Sequence, residues 1–202
     1  MKNKQLVNLI LTALLSALAF VLFLLEFSVM PAAPHLKMDF SDVPALLAGA
    51  VLGPIYGVLV ELIKNLIELI TKGFGTQMGF GNLMNFLVGC GYVLPFSIIY
   101  RVGRKQSGGN SLSAGSSAMR IVFAAMLAIP CIAAIGIAGN YFITPLFFQY
   151  FLNISLKHRE LWANIWYATI VNLIKGATLT VVAFPGIIGF EAAVKRALQG
   201  RS

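Results

Sequence analysis

The chain has 202 residues, of which 58% are hydrophobic and only 11% are charged, whereas soluble domains have roughly 25% charged residues. This composition excludes a soluble catalytic domain and predicts an integral membrane protein. The formal net charge of +8 is not interpreted as a nucleic-acid-binding surface, because basic residues in a membrane protein first indicate orientation.

Several apolar segments, separated by Pro, Gly and charged residues, predict an all-α helical bundle rather than a β-barrel. The first span covers residues 5–25 and is expected to be retained, because its apolar run has no small-residue cleavage site. Later spans are predicted at 82–100, 120–140 and 160–184, with a flexible linker at 106–117.

Residues 41–71 are too long for one crossing of about 20 residues and short for two. The Gly53-Pro54 pair favours two helices, because Gly ends helices and Pro starts them. If Asp42 lies at the start, the second helix has about 10 to 12 residues and covers about half a bilayer. We therefore predict a short second helix that begins at membrane depth beneath loop 32–41, or a re-entrant element.

The predicted topology has six transmembrane helices with both termini on one side. Most of the 15 basic residues fall on that side, at the termini and between the fourth and fifth spans. The positive-inside rule then makes both termini cytoplasmic. A five-span alternative, with one helix over 43–71, would place the basic loop at 101–120 outside, against the rule. We expect a single transmembrane domain over residues 1–202.

The outer half of the predicted bundle is polar inside. Asn164, Asn172 and Lys175 form one stripe, since a turn of roughly 100° per residue places the last two about 80° and 20° from the first. Other polar residues in the middle and outer parts of the spans are Glu61, Lys64, Asn65, Glu68, Asn82, Asn85 and Asn140. Amides with one or two lysines suit an uncharged ligand rich in carbonyls and hydroxyls. We expect a pocket open to the outside.

Two lysines at membrane depth differ in their neighbours along the chain. Such groups are costly there and usually face a cavity, a partner or a ligand. Lys64 follows Glu61 by three residues, and the two are expected to form a structural pair at the base of the pocket. Lys175 has no acid within a turn and is expected to be a site residue. The inner half lacks a matching polar set, which argues against a continuous pore.

A predicted external loop at 141–151 is rich in aromatic residues. Two interpretations stay open: an aromatic belt at the membrane interface, or a stacking surface for a flat ligand. In the first span, the small residues Ala13 and Ala17 are four apart, which would allow another helix to approach closely or serve packing within the bundle.

No catalytic motif occurs in the chain. HExxH, GxSxG and Walker lysine patterns are absent, and both histidines, His35 and His158, fall in predicted external loops. We therefore predict no enzyme activity, no catalytic residues and no metal site.

The chain resembles the substrate-binding S component of energy-coupling factor (ECF) vitamin transporters, most closely the riboflavin-binding RibU type. The resemblance covers nearly the whole chain. It is carried by six spans in 202 residues, the pair Ala13 and Ala17, the loop 36–46, Leu52-Gly53-Pro54 with Gly57, Ile63-Lys64-Asn65, Asn140-Tyr141, and the segment 172–176. The loop, with the Gly-Pro and Lys-Asn pairs that follow it, is the most specific part.

The resemblance implies a high-affinity riboflavin-binding subunit of the prokaryotic plasma membrane, driven by a separate transmembrane T component and two cytoplasmic ATPases. It implies that Ala13 and Ala17 dock against the T component, and that the external loop between the first two spans caps the ligand. The expected substrate contacts, with Asn85 added for its depth, are Lys37, Met38, Asp39, Phe40, Asn85, Asn140, Asn172 and Lys175. Riboflavin is expected as transported ligand, without a cofactor.

Three alternatives remain open from the sequence. The ligand could be flavin mononucleotide rather than riboflavin. The same fold could serve another vitamin, such as thiamine, biotin or a queuosine precursor. The third alternative is an intramembrane enzyme or a channel, which the missing catalytic pairs and the apolar inner half disfavour.

Overall fold

A computed structural model of the chain describes residues 2–31, 33, 36–72, 79–106, 114–151, 153, 155 and 157–199. The α-helices of these residues are α1 (Lys2–Phe23), α2 (Asp42–Leu47), α3 (Pro54–Lys72), α4 (Phe80–Gln106), α5 (Ala114–Phe151) and α6 (His158–Gln199). A π-helical segment, Ala48–Leu52, continues α2. Two short strands, β1 (Phe27–Ser28) and β2 (Lys37–Met38), pair antiparallel between α1 and α2.

The chain is an all-α membrane protein, and β1 and β2 are the only strands among the described residues. Helices α1, α4, α5 and α6 are long and apolar enough to cross a membrane. The segment Asp42–Leu52 is a shorter apolar helix. We call the end of the bundle that carries β1 and β2 the strand end, and the other end the far end.

The break predicted at Gly53-Pro54 is confirmed, since the π-helical segment ends at Leu52 and α3 begins at Pro54. Gly53 has a φ of 146°, which side chains other than glycine rarely adopt. Its N–H donates a hydrogen bond to the Ala48 carbonyl at 3.0 Å, and Pro54 starts α3 without losing a helical hydrogen bond. The chain therefore turns within one residue, and α2 packs beside α3.

Close packing holds α2 against α3 and α4. A Cβ added to Gly57 of α3 would lie 2.6 Å from a methyl group of Val93 and 2.9 Å from the Ala45 carbonyl oxygen. Any larger residue at this position would push the three helices apart. This packing fixes the position of Asp42, the first residue of α2.

The far end is filled by aromatic and charged side chains. Tyr100 stacks on Phe96 with ring centroids 6.3 Å apart, and its hydroxyl donates to Glu191 at 2.7 Å. Arg104 pairs with the buried Glu191 at 3.1 Å, and the Arg120 guanidinium lies 5.5 Å from the Tyr100 ring. The sequence reading missed this cluster, because its members are spread over α4, α5 and α6.

The helices extend beyond the predicted spans. Residues 141–151, predicted as an external loop, are helical and complete α5, so that prediction was wrong. Pro145 lies inside the helix, which membrane helices tolerate. Residues 114–117 of the predicted linker are also helical, whereas 107–113 lie outside the described residues. Hydropathy locates the membrane-buried part of a helix but not the point where its hydrogen bonding ends.

Helix α1 presents different faces to the bundle and to its surroundings. Thr12 and Ser16 are buried, and their hydroxyls donate to the carbonyls of Asn8 and Thr12 at 2.8 Å. Ala13 and Ala17 are exposed on the other face, among large apolar residues such as Leu14 and Leu18. Of the two expectations for this alanine pair, the one that placed it in packing contacts within the bundle is therefore wrong.

Candidate functional site

A cavity of about 510 Å³ opens at the strand end. Its volume lies in the range of small-molecule sites, roughly 300 to 1,000 Å³. The polar residues that line it are Glu26, Lys37, Asp39, Glu68, Lys72, Asn82, Asn85, Asn140, Thr144, Asn164, Asn172 and Lys175. The phenylalanines that line it are Phe23, Phe80, Phe147 and Phe148. Apolar walls with convergent polar groups are typical of a site for an organic molecule.

Lys175 of α6 lies at the buried side of the cavity and is held by acidic side chains. Its Nζ lies 2.9 Å from Asp42 Oδ2 and 3.5 Å from Asp39 Oδ2. It also donates to Asn85 Oδ1 at 3.3 Å. No acid lies within a turn of Lys175 along α6, yet two acids from elsewhere in the chain pair with it. The acids come from α2 and the segment before it, which helical spacing along α6 could not reveal.

Lys64 of α3 lies behind the cavity. Its Nζ is 2.8 Å from Glu61 Oε2, which confirms the predicted pair. It also donates to Ser41 Oγ at 2.8 Å and pairs with Asp42 Oδ1. Lys64 is absent from the lining of the cavity, so its predicted place at the base of the pocket was wrong. Its contacts make it a structural residue that supports Asp42.

Asp42 connects the two lysines. One carboxylate oxygen faces Lys64 and the other faces Lys175, and the side chain is fully buried. Removing one partner from such a buried ion pair is costly, because the charge that remains has neither water nor a counter-ion. Asp42 thereby ties α2 to both α3 and α6. The sequence reading treated Asp42 only as a helix start, although two lysines at membrane depth call for counter-ions.

Amide side chains of α5 and α6 form part of the cavity wall. Asn140 donates to the Gly136 carbonyl at 2.8 Å and accepts from Asn164 at 3.0 Å. The amide nitrogen of Asn172 lies so close to Gly136 that a Cβ at that position would displace the Asn172 side chain. Within the described part of the chain, the Asn172 side chain makes no hydrogen bond, although it lines the cavity. Asn172 is therefore placed to bind a ligand.

At the mouth of the cavity, carboxylates hold the lysines. Glu26 Oε1 lies 2.7 Å from Lys37 Nζ and 3.3 Å from Lys72 Nζ. Glu68 pairs with Lys72 at 2.7 Å and accepts a hydrogen bond from Asn82. These contacts connect the strand segment to α3 and α4. The sequence reading missed Glu26 and Lys72 as lining residues, because nothing local indicates that they meet.

The predicted substrate contacts fall into two groups. Those that line the cavity are Lys37, Asp39, Asn85, Asn140, Asn172 and Lys175. Met38 and Phe40 do not line it: Met38 is buried, and the Phe40 ring lies 6.1 Å from that of Phe27. Alternation along β2 accounts for Lys37 and Met38, which point to opposite sides of the strand, whereas Phe40 follows in a bend.

The aromatic residues near the end of α5 also fall into two groups. Phe147 and Phe148 line the cavity, and the Phe147 ring lies 5.1 Å from that of Phe80. Tyr141, Phe142 and Tyr150 are exposed and do not line the cavity. The first group is placed to contact a ligand, and the second lies on the outer surface of the bundle.

Metal ligands do not cluster in the described residues, where no three His, Cys, Asp or Glu side chains are placed to hold an ion. His158 begins α6, and His35 lies outside the described residues. The described lining of the cavity offers amides, lysines, carboxylates and phenylalanine rings.

Comparisons with known proteins agree with each other. The family described as "ECF transporter, substrate-specific component" matches residues 7–188. The chain is 32% identical over 185 residues to "Riboflavin transporter FmnP" of Bacillus subtilis (strain 168), covering 90% of this chain and 89% of the relative. It is 32% identical over 182 residues to "Riboflavin transporter RibU" of Staphylococcus aureus (strain TCH60), covering 90% and 87%.

A solved structure is also similar over the full length. It comes from work on the structure and mechanism of the S component of a bacterial ECF transporter. The TM-score is 0.64 at 27% identity, and the match covers 98% of this chain and 99% of the solved one. The likeness therefore extends to the arrangement of all the helices described above.

Proposed function

Because the chain belongs to the family of substrate-specific components of ECF transporters, we propose that it binds riboflavin and mediates its uptake across the cell membrane. The observation that supports this proposal most directly is the cavity at the strand end, which combines amides, a buried lysine and phenylalanines. Relatives named as riboflavin transporters match nine-tenths of the chain and support this ligand. The protein is a multi-pass protein of the cell membrane, and riboflavin is its transported ligand rather than a cofactor.

The chemistry of a flavin suits the lining residues. The ring system is flat and apolar on its faces, with carbonyls and nitrogens along one edge, and the ribityl chain carries hydroxyls. In this proposal Phe147 and Phe148 contact the ring faces, and the Asn172 amide and the Lys175 ammonium donate to its polar edge. Asn85, Asn140 and Asp39 serve the remaining polar groups.

Purified protein provides a direct test. Trp162 and Trp166 lie near the strand end of α6, and we expect saturable quenching of their emission when riboflavin is added. The isolated protein should also carry the yellow absorbance of a flavin. No flavin absorbance and no change in emission would contradict the proposal. Displacement of riboflavin by thiamine, biotin or a queuosine precursor would move the proposal to another vitamin.

We also propose a single transmembrane domain with six membrane-crossing segments, cytoplasmic termini and a cavity open to the outside. Its support is the set of basic residues at the far end, including Arg101, Arg104 and Arg120. In a variant without native cysteines, Lys157→Cys should react with a membrane-impermeant thiol reagent added to intact cells. Lys105→Cys should react only after the membrane is opened, and the reverse pattern would invert the topology.

The exposed alanines of α1 are proposed to dock against a transmembrane T component driven by two ATPases. Small residues let a partner helix approach closely, and Ala13 and Ala17 face outwards. We expect Ala13→Leu and Ala17→Leu to abolish uptake in cells while riboflavin binding to the purified protein stays intact. Ala134→Leu on the exposed face of α5 is the control and should leave both unchanged. Normal uptake by the α1 variants would refute this assignment.

A further inference from the structure

Every lysine in the described lining of the cavity is paired with a carboxylate. Lys37 pairs with Glu26, Lys72 with Glu26 and Glu68, and Lys175 with Asp39 and Asp42. Of these acids, Glu26, Glu68 and Asp39 also line the cavity. The described lining therefore offers as many negative as positive charges, and its ammonium groups are already held by acids.

The mouth differs from the base in its contact with water. The side chains of Lys37 and Lys72 are 50% and 44% exposed, whereas that of Lys175 is 5% exposed. A phosphate monoester carries a charge of about −1.5 to −2 at neutral pH. Removing such a charge from water is costly unless it is fully paired. A phosphate on the ligand would therefore stay at the mouth rather than enter the base.

At the mouth the phosphate would meet Glu26. A single oxygen of Glu26 is shared by Lys37 and Lys72, at 2.7 and 3.3 Å. To bind the phosphate, both lysines would have to share their N–H donors with it or leave this carboxylate, and in either case Glu26 would remain beside the new negative charge. A site can reject a competitor through such an uncompensated like charge.

We infer that Glu26, assisted by Glu68, determines the specificity of the cavity for an uncharged flavin over its phosphorylated form. This inference rests on the proposed binding of riboflavin. It assigns to Glu26 a role that is separate from contacts with the flavin ring, because Glu26 acts by occupying the two cations that a phosphate would need. Glu26→Gln keeps the size of the side chain and releases Lys37 and Lys72 from their shared carboxylate.

The test compares riboflavin and flavin mononucleotide on the same purified protein, by tryptophan quenching at low salt. We expect Glu26→Gln to raise the affinity for flavin mononucleotide relative to riboflavin by about tenfold or more. The gain should shrink as salt is added, because the mouth is open to solvent. A purely structural effect of the substitution would not depend on salt in this way.

Two further variants complete the test. Glu68→Gln should shift the same ratio in the same direction but less, because Lys72 keeps Glu26 as a partner. Glu160→Gln, at the exposed start of α6 and outside the cavity lining, changes the net charge equally and should leave the ratio unchanged. A ratio that moves equally in Glu26→Gln and Glu160→Gln would show a general charge effect and overturn the inference.

The remaining outcomes separate this inference from its premise. Equal changes in both affinities in Glu26→Gln, or a wild-type protein that binds both flavins equally well, would overturn the role of Glu26 while leaving riboflavin binding in place. A wild-type protein that binds neither flavin would contradict the proposed function itself, and the inference with it.

Discussion

At the strand end, Lys175 and Asp42 are buried next to a cavity, whereas at the far end Glu191 is buried among packed aromatic and arginine side chains. Both ends pay the cost of removing charge from water. At the far end the Tyr100 hydroxyl and Arg104 surround the carboxylate. At the strand end the ion pairs leave Asn172 facing the cavity without a hydrogen bond to other described residues. The far-end cluster satisfies its buried carboxylate within the fold, whereas the strand end keeps an amide without a described hydrogen bond at the wall of a cavity.

The largest expected effect comes from the lysine behind the cavity. Lys64→Met would leave the carboxylates of Asp42 and Glu61 without their shared partner, in a place with no exposure to solvent. We expect the free energy of unfolding to fall by about 3 to 5 kcal/mol, measured by thermal denaturation in detergent.

Lys72→Met is the matched control for this loss of stability. Its side chain is 44% exposed and its ion pairs lie at the cavity mouth, so the substitution should cost about 1 kcal/mol or less. Equal losses in Lys64→Met and Lys72→Met would show that the buried network does not hold α2, α3 and α6 together.

The next effect concerns ligand binding at the strand end. Lys175→Ala or Asn172→Ala should weaken riboflavin binding by roughly 1 to 3 kcal/mol, because each removes a polar group that lines the cavity. The titration of tryptophan emission measures the loss. Lys157→Ala, an exposed lysine before α6, should bind as the wild type does. Unchanged affinity in both cavity variants would place the ligand elsewhere.

The smallest effect is expected at the far end. Tyr100→Phe keeps the ring in its stack and removes one hydrogen bond to Glu191, which still has Arg104. We expect a stability loss of about 1 kcal/mol and no change in riboflavin affinity. Tyr141→Phe, at an exposed tyrosine, should change neither quantity. Weaker binding in Tyr100→Phe would show that the two ends are coupled and would contradict a purely structural role of the far-end cluster.

Features set by neighbours along the chain could be predicted from the sequence. The break at Gly53-Pro54 depends on the backbone preferences of two adjacent residues. The Glu61–Lys64 pair depends on helical spacing. The family resemblance depends on short motifs read in order. Residues such as Asn85 and Lys175 could be placed at membrane depth because hydropathy locates the apolar spans, and position within a span gives the depth.

Contacts between distant segments could not be predicted in this way. Asp39 and Lys175 are 136 positions apart, and their meeting depends on which face of α6 packs near α2. The same holds for Glu26, whose two lysine partners come from β2 and α3. The division of the α5 aromatics between cavity and outer surface depends on how that helix is rotated in the bundle.

The sequence by itself determined a helical membrane protein, the positions of its apolar segments and the presence of lysines at membrane depth. Only the tertiary structure decided how those charges are used. It placed Asp42 between Lys64 and Lys175, so that one lysine supports the fold and the other lines the cavity. The physical reason is that the free-energy cost of burying a charge depends on the residue type, which can be read from the sequence. Whether an opposite charge offsets that cost depends on how the helices pack, which cannot be read from the sequence.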